Sequence, residues 1–391
     1  MRSPAAAGPD RPRVLLVIQP SVSHYREALV RNLLAEPSLE FVLLGKYQNA
    51  AMTGAANSVV DAREEVIKQV YRVSEVQLRG AFKWQRGVLS KTLRERADIY
   101  VYEGSPYNLS TWPSILVARL KGGKPVLWGH GWKRPDGALK LLARKFFYRI
   151  VSGHLVYGDW AKSYANEVGL QSSRFYPVYN SIYSESVIVE SATSAKSAPS
   201  LAVGGGTLSL IFSGRLTPRH DVSLAVSAIT RLIDAGLNVR FVVVGEGSEL
   251  DRLKEKAEGY PEIEFVGGVY DVEILRRLYQ DAHYALSAGA SGLNVIQSLS
   301  FGVPVIAADG HYDSGPEIEA VQDAETGFLF EAGSEDDLVS TLHAAVAVRP
   351  EVYSDLVKSA RTLVMRKYTA EQHASAIVKS VKHIATRGRI S

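Results

Sequence analysis

Hydrophobic and polar positions alternate along the chain with two periods. Short runs of β-branched and large apolar residues predict buried strands, and the segments between most of them have helical spacing, as at 25–34 and 222–235. The predicted strands lie at 14–18, 41–44, 99–102, 126–128, 155–157, 208–212, 240–244, 264–266, 284–286, 303–307 and 328–330. Continuous apolar strands that alternate with amphipathic helices are typical of parallel sheets covered by helices on both faces. The pattern therefore predicts an α/β fold.

The alternation occurs in two series, which predicts two Rossmann-like domains that face each other across a cleft. Residues 184–207 separate the series and have the composition of a linker, rich in Ser with Pro199 and three glycines at 204–206. The predicted limits are a disordered lead-in at 1–12, an N-terminal domain at 13–183, the linker at 184–207, a C-terminal domain at 208–369 and a last helix at 370–391. We expect this helix to pack back on the N-terminal domain.

The longest segment without a charged residue or histidine runs from 284 to 308 and is long enough to span a membrane. It contains Pro304, Asn294, Gln297 and several Ser and Gly residues. We therefore interpret it as a strand, a helix and a second strand of a parallel sheet.

Composition and charge narrow the function classes. The chain of 391 residues has no Cys, which excludes disulfides, thiolate nucleophiles and Cys-ligated metals and fits a reducing compartment. The first 13 residues lack the apolar core of a signal peptide, so we expect a cytoplasmic protein. The net charge of +4 is the difference between +12 in residues 1–180 and −8 in residues 181–391. The basic half is expected to face an anionic partner.

Ligands of open α/β sheets bind at the carboxyl ends of strands, where Gly-rich turns and helix N-termini offer N–H groups to anions. Four such turns stand out, at 213–220, 245–248, 287–294 and 126–134. The first combines Gly214 with Arg215 and Arg219 at a helix start and could clamp a diphosphate, or it is a solvated basic loop. The second has two of the three glycines of a dinucleotide fingerprint, and most such turns are structural.

The third turn, 287–294, consists of small residues before a helix whose next turn carries Gln297. It suits the phosphates of a nucleotide, although a tightly packed strand-to-helix turn would also use its glycines. In the fourth turn, His130 lies between two glycines and is followed by two cations. This context favours an exposed position over a hydrogen-bonded structural histidine.

Other chemistries lack their sequence signatures. The sequence has no H-E-x-x-H, no G-x-S-x-G and no G-x-x-x-x-G-K-[S/T] motif, and its acidic run at 335–337 follows Ser334 as a helix capping box. A metal centre, a serine hydrolase and a P-loop hydrolase are therefore not predicted.

Six motifs in order give the chain a specific resemblance. They are G-R-L-T-P-R at 214–219, V-V-V-G-E-G at 242–247, F-V-G-G-V at 265–269, G-L-N-V-I-Q-S-L-S-F-G-V-P-V-I at 292–306, G-P-E-I at 315–318 and T-G-F-L-F at 326–330. The set resembles the retaining glycosyltransferases of group 1, or family 4, whose fold is the GT-B arrangement of two Rossmann-like domains. The resemblance covers residues from about 13 to 387 and is strongest in the C-terminal half.

The resemblance implies a role for each matching position. It implies that Arg215 neutralises the donor diphosphate, together with Arg219, His220 and the backbone amides of Gly292, Leu293 and Asn294. It places the donor nucleoside at Glu246, Gly268, Val269 and Gln297, and the donor sugar at Gly289, Ala290 and Ser291. On the acceptor side it places His24, Tyr25, Arg26 and Trp132, with His130 as the histidine that orients or polarises the reacting groups. His130 and Arg215 are thus the implied catalytic residues.

Three positions depart from the family pattern. The first Glu of the Glu-x7-Glu motif falls on Gly289, so the identity of the sugar does not carry over. The Lys that normally accompanies Arg215 falls on His220, which would be partly cationic at a pKa of about 6.5, and Arg219 beside it is expected to take over the charge. The Gly-Gly loop after the first strand is replaced by residues 20–24. We expect activity to be retained despite these changes.

The chemistry of breaking a sugar–diphosphate bond agrees with these roles. Negative charge develops on the leaving group, and preorganised Arg and helix-amide donors stabilise it. A nucleotide diphosphosugar is then the co-substrate, and neither a metal nor another cofactor is expected. In this family, the acceptor hydroxyl arrives on the face that the leaving group vacates and gives its proton to a phosphate oxygen, which implies retention.

Residues 139–150 predict an amphipathic helix. Leu139, Leu142, Phe146 and their helical neighbours Ala143, Phe147 and Ile150 are expected to pack on the domain. The opposite face carries Lys140, Arg144, Lys145 and Arg149 with Leu141 and Tyr148. That face suits an anionic membrane surface, or is an ordinary solvated face.

Taken together, the sequence predicts a hexosyltransferase that uses a nucleotide diphosphosugar and a lipid-linked or polysaccharide acceptor. Its predicted location is the cytoplasm, either free or peripheral on the inner face of the plasma membrane. Two alternatives remain open, a non-catalytic nucleotide-sugar-binding subunit and a nucleotide-sugar 2-epimerase. The basic half would also fit a nucleic-acid binder, but no recognisable nucleic-acid module is present, so nucleic acid is not an expected partner.

Overall fold

The computed structural model describes residues 11–47, 61–191 and 206–387. These residues divide into two compact units. Unit 1 contains 11–47, 61–179 and 373–387, and unit 2 contains 180–191 and 206–372. Each unit is built on its own parallel sheet with helices between the strands.

In its described residues, unit 1 has a seven-stranded sheet of order β3-β2-β1-β6-β7-β8-β9 and a separate hairpin, β4-β5. The strands are β1 (Arg13–Val17), β2 (Glu40–Gly45), β3 (Tyr71–Arg72), β4 (Ser74–Gln77), β5 (Lys83–Arg86), β6 (Ile99–Glu103), β7 (Lys124–Gly129), β8 (Gly153–Val156) and β9 (Phe175–Pro177). The helices are α1 (Glu27–Ala35), α2 (Glu64–Ile67), α3 (Val88–Arg94), α4 (Thr111–Leu120), α5 (Ala138–Arg149) and α6 (Asp159–Glu167).

The central strand β1 supplies side chains to two apolar clusters because successive residues of a strand point to opposite faces. Val14 and Leu16 belong to one cluster, and Leu15 and Val17 belong to the other. The first cluster also contains the apolar side of the last helix, which we number α14 (Ala370–Thr386), from Ala374 onward. The predicted return of this helix to the N-terminal sheet is therefore confirmed.

Unit 2 has, in its described residues, a six-stranded parallel sheet of order β12-β11-β10-β13-β14-β15. The strands are β10 (Leu208–Ser213), β11 (Val239–Val244), β12 (Ile263–Gly267), β13 (Tyr284–Ser287), β14 (Val305–Asp309) and β15 (Gly327–Glu331). The helices are α7 (Glu185–Ser191), α8 (Val222–Asp234), α9 (Leu250–Lys256), α10 (Val272–Gln280), α11 (Leu293–Ser300), α12 (Glu335–Val346) and α13 (Pro350–Lys367). Ser334 caps α12 by accepting a hydrogen bond of 3.2 Å from the Asp337 N–H, but the Asp337 carboxylate accepts from the Glu331 N–H, so the reciprocal bond of the predicted capping box is not formed.

The two-sheet α/β fold predicted from the sequence is confirmed. Each predicted strand overlaps an observed one, whereas β3, β4, β5 and β9 were not predicted. They have only two to four residues, and β3, β4 and β5 also carry charged or polar side chains. The uncharged segment 284–308 forms β13, α11 and the start of β14, as predicted. In the part of the chain that the structure describes, no helix is both long and apolar enough to cross a membrane.

The predicted linker begins with a helix. Residues 185–191 form α7, whose last residue is bound to unit 2: Arg276 Nε donates to Ser191 Oγ at 3.1 Å and Arg361 Nη2 donates to its carbonyl at 3.3 Å. These bonds order a Ser-containing segment that the composition alone assigns to a linker. Residues 192–205 of the predicted linker and 1–10 of the predicted lead-in lie outside the described residues.

Candidate functional site

The turns after β10 and β11 interlock at the carboxyl edge of the unit 2 sheet. Gly214 N–H donates to Val244 O and Leu216 N–H donates to Glu246 O, each at 2.9 Å. A Cβ at Gly247 would lie 2.1 Å from Leu216 O, so only glycine allows this approach. The two glycines of G-E-G therefore serve backbone packing.

Glu246 projects from this turn toward β12. Its side chain is exposed, and its carboxyl carbon would lie 3.3 Å from a Cβ placed on Gly268. The structure thus brings together Glu246 and the 268–269 turn, two of the positions that the sequence assigns to the donor nucleoside.

The turn between β10 and α8 carries the cations predicted to bind a diphosphate. Arg215 is exposed, and no carboxylate of the described residues lies within ion-pair distance of its guanidinium. His220 Nδ1 and Thr217 Oγ1 lie 2.9 Å apart. Burial, followed by the positive charges of Arg219 and Arg215, lowers the pKa of His220 to about 4. His220 is therefore neutral at pH 7, and the expectation that it is partly cationic is wrong.

Arg219 is bound to the loop that follows β14. Its Nε lies 3.1 Å from Asp313 Oδ2, and its Nη2 donates to the Asp313 carbonyl at 3.0 Å. The sequence predicts that Arg219 replaces the charge of the missing lysine. In the structure, Asp313 offsets part of that charge, because its carboxylate already pairs with the Arg219 guanidinium. Arg215 remains the cation of this turn with no acidic partner in the described structure.

The N-terminus of α11 offers fewer amides than the sequence suggests. The Gly292 N–H donates to Asn294 Oδ1 at 2.9 Å, while Asn294 Nδ2 donates to Ser287 Oγ at 3.1 Å. The N–H groups of Leu293 and Asn294 lie in the first turn, where an α-helix provides no acceptor. One turn further, Gln297 is half-buried and lies close to the side chain of Tyr183.

The segment before α11 presents backbone and no side chains. A Cβ at Gly289 would lie 2.5 Å from Arg219 O and 2.8 Å from Asp221 N. The Ala290 N–H donates to Arg219 O at 2.7 Å, and the side chains of Ala290 and Ser291 are buried. A glutamate at position 289 would require the β10–α8 turn to move, which explains physically why this chain has glycine there.

In unit 1, His130 follows β7 and is exposed. Its ring meets the ring of Tyr157 edge to face, with centroids 5.1 Å apart. The next residue is clamped by α5, since the Gly131 carbonyl accepts hydrogen bonds from Arg144 Nη1 and from the Tyr148 hydroxyl, each at 2.8 Å. The His130 turn is thereby fixed from both sides.

Trp132 does not face a ligand. Its side chain is 1% exposed, and its ring packs on Tyr148, Tyr164 and Phe175 at centroid distances of 4.8, 5.4 and 5.9 Å. The prediction that Trp132 contacts the acceptor is therefore not supported, because an indole buried in the core has no surface for a sugar. Its large aromatic side chain anchors the His130 turn in the core of unit 1.

The loop after β1 forms a short 3-10 turn at His24–Arg26. His24 is exposed and Tyr25 half-buried, but Arg26 is 1% exposed. The Arg26 guanidinium donates to Gln19 O at 2.9 Å and to the Tyr157 hydroxyl at 3.4 Å. Arg26 thus contacts Tyr157, the residue whose ring also contacts His130. Because Arg26 is buried, it does not contact an acceptor directly.

Sequence reasoning missed the contacts by which four residues shape these sites: Tyr157, Arg144, Tyr148 and Asp313. It placed Arg144 and Tyr148 on the outward face of the helix, whereas Tyr148 is buried and both residues bond the Gly131 carbonyl. Tyr157 and Asp313 each lie within a few residues of a strand's carboxyl end, so a search of every strand end would have found them. Arg144 and Tyr148 act through the Gly131 carbonyl, and no local sequence signal indicates such a contact.

A family model described as group 1 glycosyl transferases matches residues 195–363. The GDP-mannose-dependent α-(1-6)-phosphatidylinositol dimannoside mannosyltransferase of Mycobacterium tuberculosis is 34% identical over 102 residues, which cover 25% of this chain and 26% of that protein. The phosphatidyl-myo-inositol mannosyltransferase of Mycobacterium leprae is 29% identical over 202 residues, 50% of this chain and 52% of that protein. The matches thus span between about a quarter and about half of these relatives.

Two solved structures resemble the whole chain. A glycosyltransferase from Rickettsia africae has a TM-score of 0.72 at 14% identity and covers 97% of this chain and 100% of its own. Anabaena HepE in complex with UDP has a TM-score of 0.65 at 13% identity, covering 95% of this chain and 100% of its own. At these identities the likeness shows the fold, which is GT-B.

Proposed function

From the match of residues 195–363 to the group 1 glycosyl transferases and the likeness of the chain to GT-B structures, we propose that the protein transfers a hexose from a nucleotide diphosphosugar to an acceptor with retention. The proposed acceptor is lipid-linked or a polysaccharide, because the curated mannosyltransferase relatives are named for phosphatidylinositol substrates. A GDP-linked mannose is the first donor to test, and UDP-linked hexoses follow because HepE is described with UDP.

The observation that carries this proposal is the positive charge of Arg215 at the β10–α8 turn. Arg215 is exposed and has no acidic partner among the described residues, and it lies close enough to His220 for its charge to lower the pKa of that histidine. The backbone of the same turn is bonded to Ala290, just before the N-terminus of α11. A guanidinium and helix amides in one place are suited to the negative charge that develops on a leaving diphosphate.

His130 is the residue of unit 1 that we propose to orient or polarise the reacting groups. Its turn is held by three contacts, the Tyr157 ring and the two hydrogen bonds to the Gly131 carbonyl. Such fixation is what a positioned polar group needs in order to favour one geometry. We assign it no nucleophilic role, and in the retaining reaction a phosphate oxygen of the donor takes the acceptor's proton.

The test is a donor screen read by mass spectrometry. The full chain is incubated with GDP-mannose, UDP-glucose, UDP-galactose and UDP-N-acetylglucosamine, with and without phosphatidylinositol or oligosaccharide acceptors, in the presence of EDTA. We expect one donor to be hydrolysed slowly alone and faster with acceptor, and His130→Ala to lower the transfer rate. The anomeric configuration of the product, read by NMR, tests retention.

Other outcomes identify the alternatives. Binding of a donor without hydrolysis or transfer, unchanged in His130→Ala, would indicate a nucleotide-sugar-binding subunit. Isomerisation of the donor in the absence of acceptor would indicate a 2-epimerase. Loss of transfer in EDTA that added Mg²⁺ restores would contradict the metal-free mechanism.

We also propose that unit 1 docks on an anionic lipid surface through α5, by a different face from the one that the sequence suggests. Leu139, Leu142 and Phe146 are 84%, 64% and 60% exposed, whereas Phe147 and Tyr148 are buried. The expected packing of the first three on the domain is therefore wrong. The apolar surface continues to α4, because the Phe146 ring stacks on Trp112 at 6.1 Å and Leu116 and Leu120 of the same helix are exposed.

The charges around this surface support an anionic membrane as its partner. Lys140 and Arg149 of α5, Arg119 of α4 and Arg94 of α3 are exposed cations on the helices that carry the apolar side chains. Exposed apolar residues among cations favour the interface of an anionic membrane, where shallow insertion and headgroup attraction add. The proposed location at the inner face of the plasma membrane follows from this docking.

A further inference from the structure

The loop after β14 places an acidic residue beside the N-terminus of α11. The Gly315 N–H donates to Ser291 O at 2.7 Å, and the Ser291 N–H donates to Ser314 Oγ at 3.1 Å. These bonds join residues 314 and 315 to the residue immediately before Gly292, the cap of α11. Asp313 therefore lies next to the amides that we propose to bind the donor diphosphate.

The Asp313 carboxylate is oriented and remains accessible. Arg219 holds it through the 3.1 Å ion pair and holds its carbonyl through the 3.0 Å hydrogen bond. The side chains of Arg219 and Asp313 are 34% and 37% exposed. A carboxylate has about four acceptor sites, and the exposed part of this side chain can accept hydrogen bonds from hydroxyl groups.

The other acidic or motif positions near this point are already used. Gly289 has no side chain and no room for one. Asp221 Oδ1 caps α8 by accepting from the Leu224 N–H at 3.2 Å. Glu317 is 3% exposed and accepts from Asn180 Nδ2 at 2.7 Å, so it serves the interior of unit 2.

We propose that Asp313 determines sugar specificity by accepting hydrogen bonds from hydroxyl groups of the donor hexose. The inference rests on the proposed transfer from a nucleotide diphosphosugar and adds the group that distinguishes one hexose from another. A sugar linked to a phosphate at the α11 N-terminus extends from that phosphate by one glycosidic bond. Asp313, carried by the segment bonded to Ser291, is the oriented carboxylate at that place.

The test compares Asp313→Asn with Glu325→Gln, which neutralises an exposed carboxylate in the turn before β15. Isothermal titration measures the dissociation constants of two epimeric nucleotide hexoses with the same base, UDP-glucose and UDP-galactose or GDP-mannose and GDP-glucose, and of the corresponding free nucleoside diphosphate. Circular dichroism and the unfolding midpoint check that each variant is folded.

We expect Asp313→Asn to weaken binding of the preferred nucleotide hexose by about tenfold or more and to reduce the discrimination between epimers, because hydrogen bonds to a charged carboxylate are stronger than those to a neutral amide. The dissociation constant of the free diphosphate should change less than twofold. Arg219→Met should also lower discrimination, since the carboxylate loses its orientation.

Three results would overturn the assignment. If Asp313→Asn discriminates between epimers as well as Glu325→Gln does, Asp313 does not read the sugar. If Asp313→Asn weakens binding of the free nucleoside diphosphate as much as binding of the nucleotide hexose, Asp313 acts only through the phosphate-binding cations. If the wild-type protein binds no nucleotide hexose at all, the proposed function fails and this assignment fails with it.

Discussion

At the scale of single residues, Arg215 offers the most direct test of the proposed donor chemistry. It is the cation of the β10–α8 turn without an acidic partner among the described residues, while Arg219 is paired with Asp313 and His220 is neutral. One guanidinium would then provide most of the side-chain charge at the diphosphate. Its planar fork can contact two phosphate oxygens, which an ammonium group cannot do with the same geometry.

We expect Arg215→Ala to lower kcat/KM by about 10²–10³-fold, the range found when one preorganised donor is removed from a developing anion. Arg215→Lys should recover part of this loss because the charge remains. Steady-state kinetics with the preferred donor measure both, and Arg252→Ala, in an exposed pair with Glu249, is the matched control. Equal activities of the Arg215→Ala and Arg252→Ala variants would show that the leaving group is stabilised elsewhere.

Residue roles could be predicted from the sequence only where the main chain determines them. The positions of Arg215, Gly289 and His130 after strands follow from the alternation of elements. The pairing of Arg219 with Asp313, 94 residues away, does not, because it depends on how two loops of neighbouring strands meet. The neutral state of His220 and the burial of Trp132 depend likewise on packing that no local pattern encodes.

At the scale of elements, α5 shows why a helical pattern can assign the wrong face. The helix has two apolar stripes, one with Leu139, Leu142 and Phe146 and one that ends in Tyr148. Counting apolar residues favours the first stripe. The second is buried because the Tyr148 hydroxyl and Arg144 bond the Gly131 carbonyl and the Tyr148 ring packs on Trp132.

The exposed stripe of α5 leads to a prediction about lipid binding. Leu142→Asp should weaken binding to vesicles of phosphatidylcholine and phosphatidylglycerol by about tenfold or more, since burying a leucine side chain contributes about 1.5–3 kcal/mol. Vesicle co-sedimentation measures the affinity, and added salt should lower it for the wild-type protein because headgroup attraction is screened.

The control is Ile274→Asp on α10, which also replaces an exposed apolar side chain of a helix. If both variants bind vesicles as the wild type does, α5 is not the docking element. Wild-type binding to phosphatidylcholine vesicles that is as strong as binding to the anionic ones would contradict the role of the surrounding cations.

At the scale of the whole molecule, the charge of the chain is divided between its two halves. Residues 1–180 carry +12 and residues 181–391 carry −8, so the +4 of the chain conceals two opposite surfaces. The acidic half carries Arg215 and Arg219 in the β10–α8 turn, where the proposed donor is itself an anion. The basic half carries the proposed lipid surface. This partition could be predicted from the sequence because net charge is a sum over residues and does not depend on packing.

Histidines buried in a neutral state determine how the molecule responds to acid. Burial lowers the pKa of His154 to about 3 and holds the pKa of His373 well below its usual value, and His220 titrates near 4. In the unfolded chain, each would titrate near 6.5. Below that pH the unfolded state binds protons that the folded state does not, so stability is lost as pH falls from about 6.5 toward 4.

We therefore expect the unfolding midpoint to decrease steadily over this range, and we expect His154→Phe to make the decrease shallower. The substitution removes one titrating group, which is worth up to about 1.4 kcal/mol per pH unit. The phenyl ring can replace the imidazole that stacks on Phe175 at a centroid distance of 4.1 Å.

Thermal unfolding followed by circular dichroism measures the slope of the unfolding midpoint against pH, and His343→Gln, at an exposed position of α12, is the control. Because the slope and not the absolute midpoint is compared, a general loss of stability in His154→Phe does not affect the result. Identical slopes in the two variants would mean that proton uptake by the other groups dominates acid unfolding.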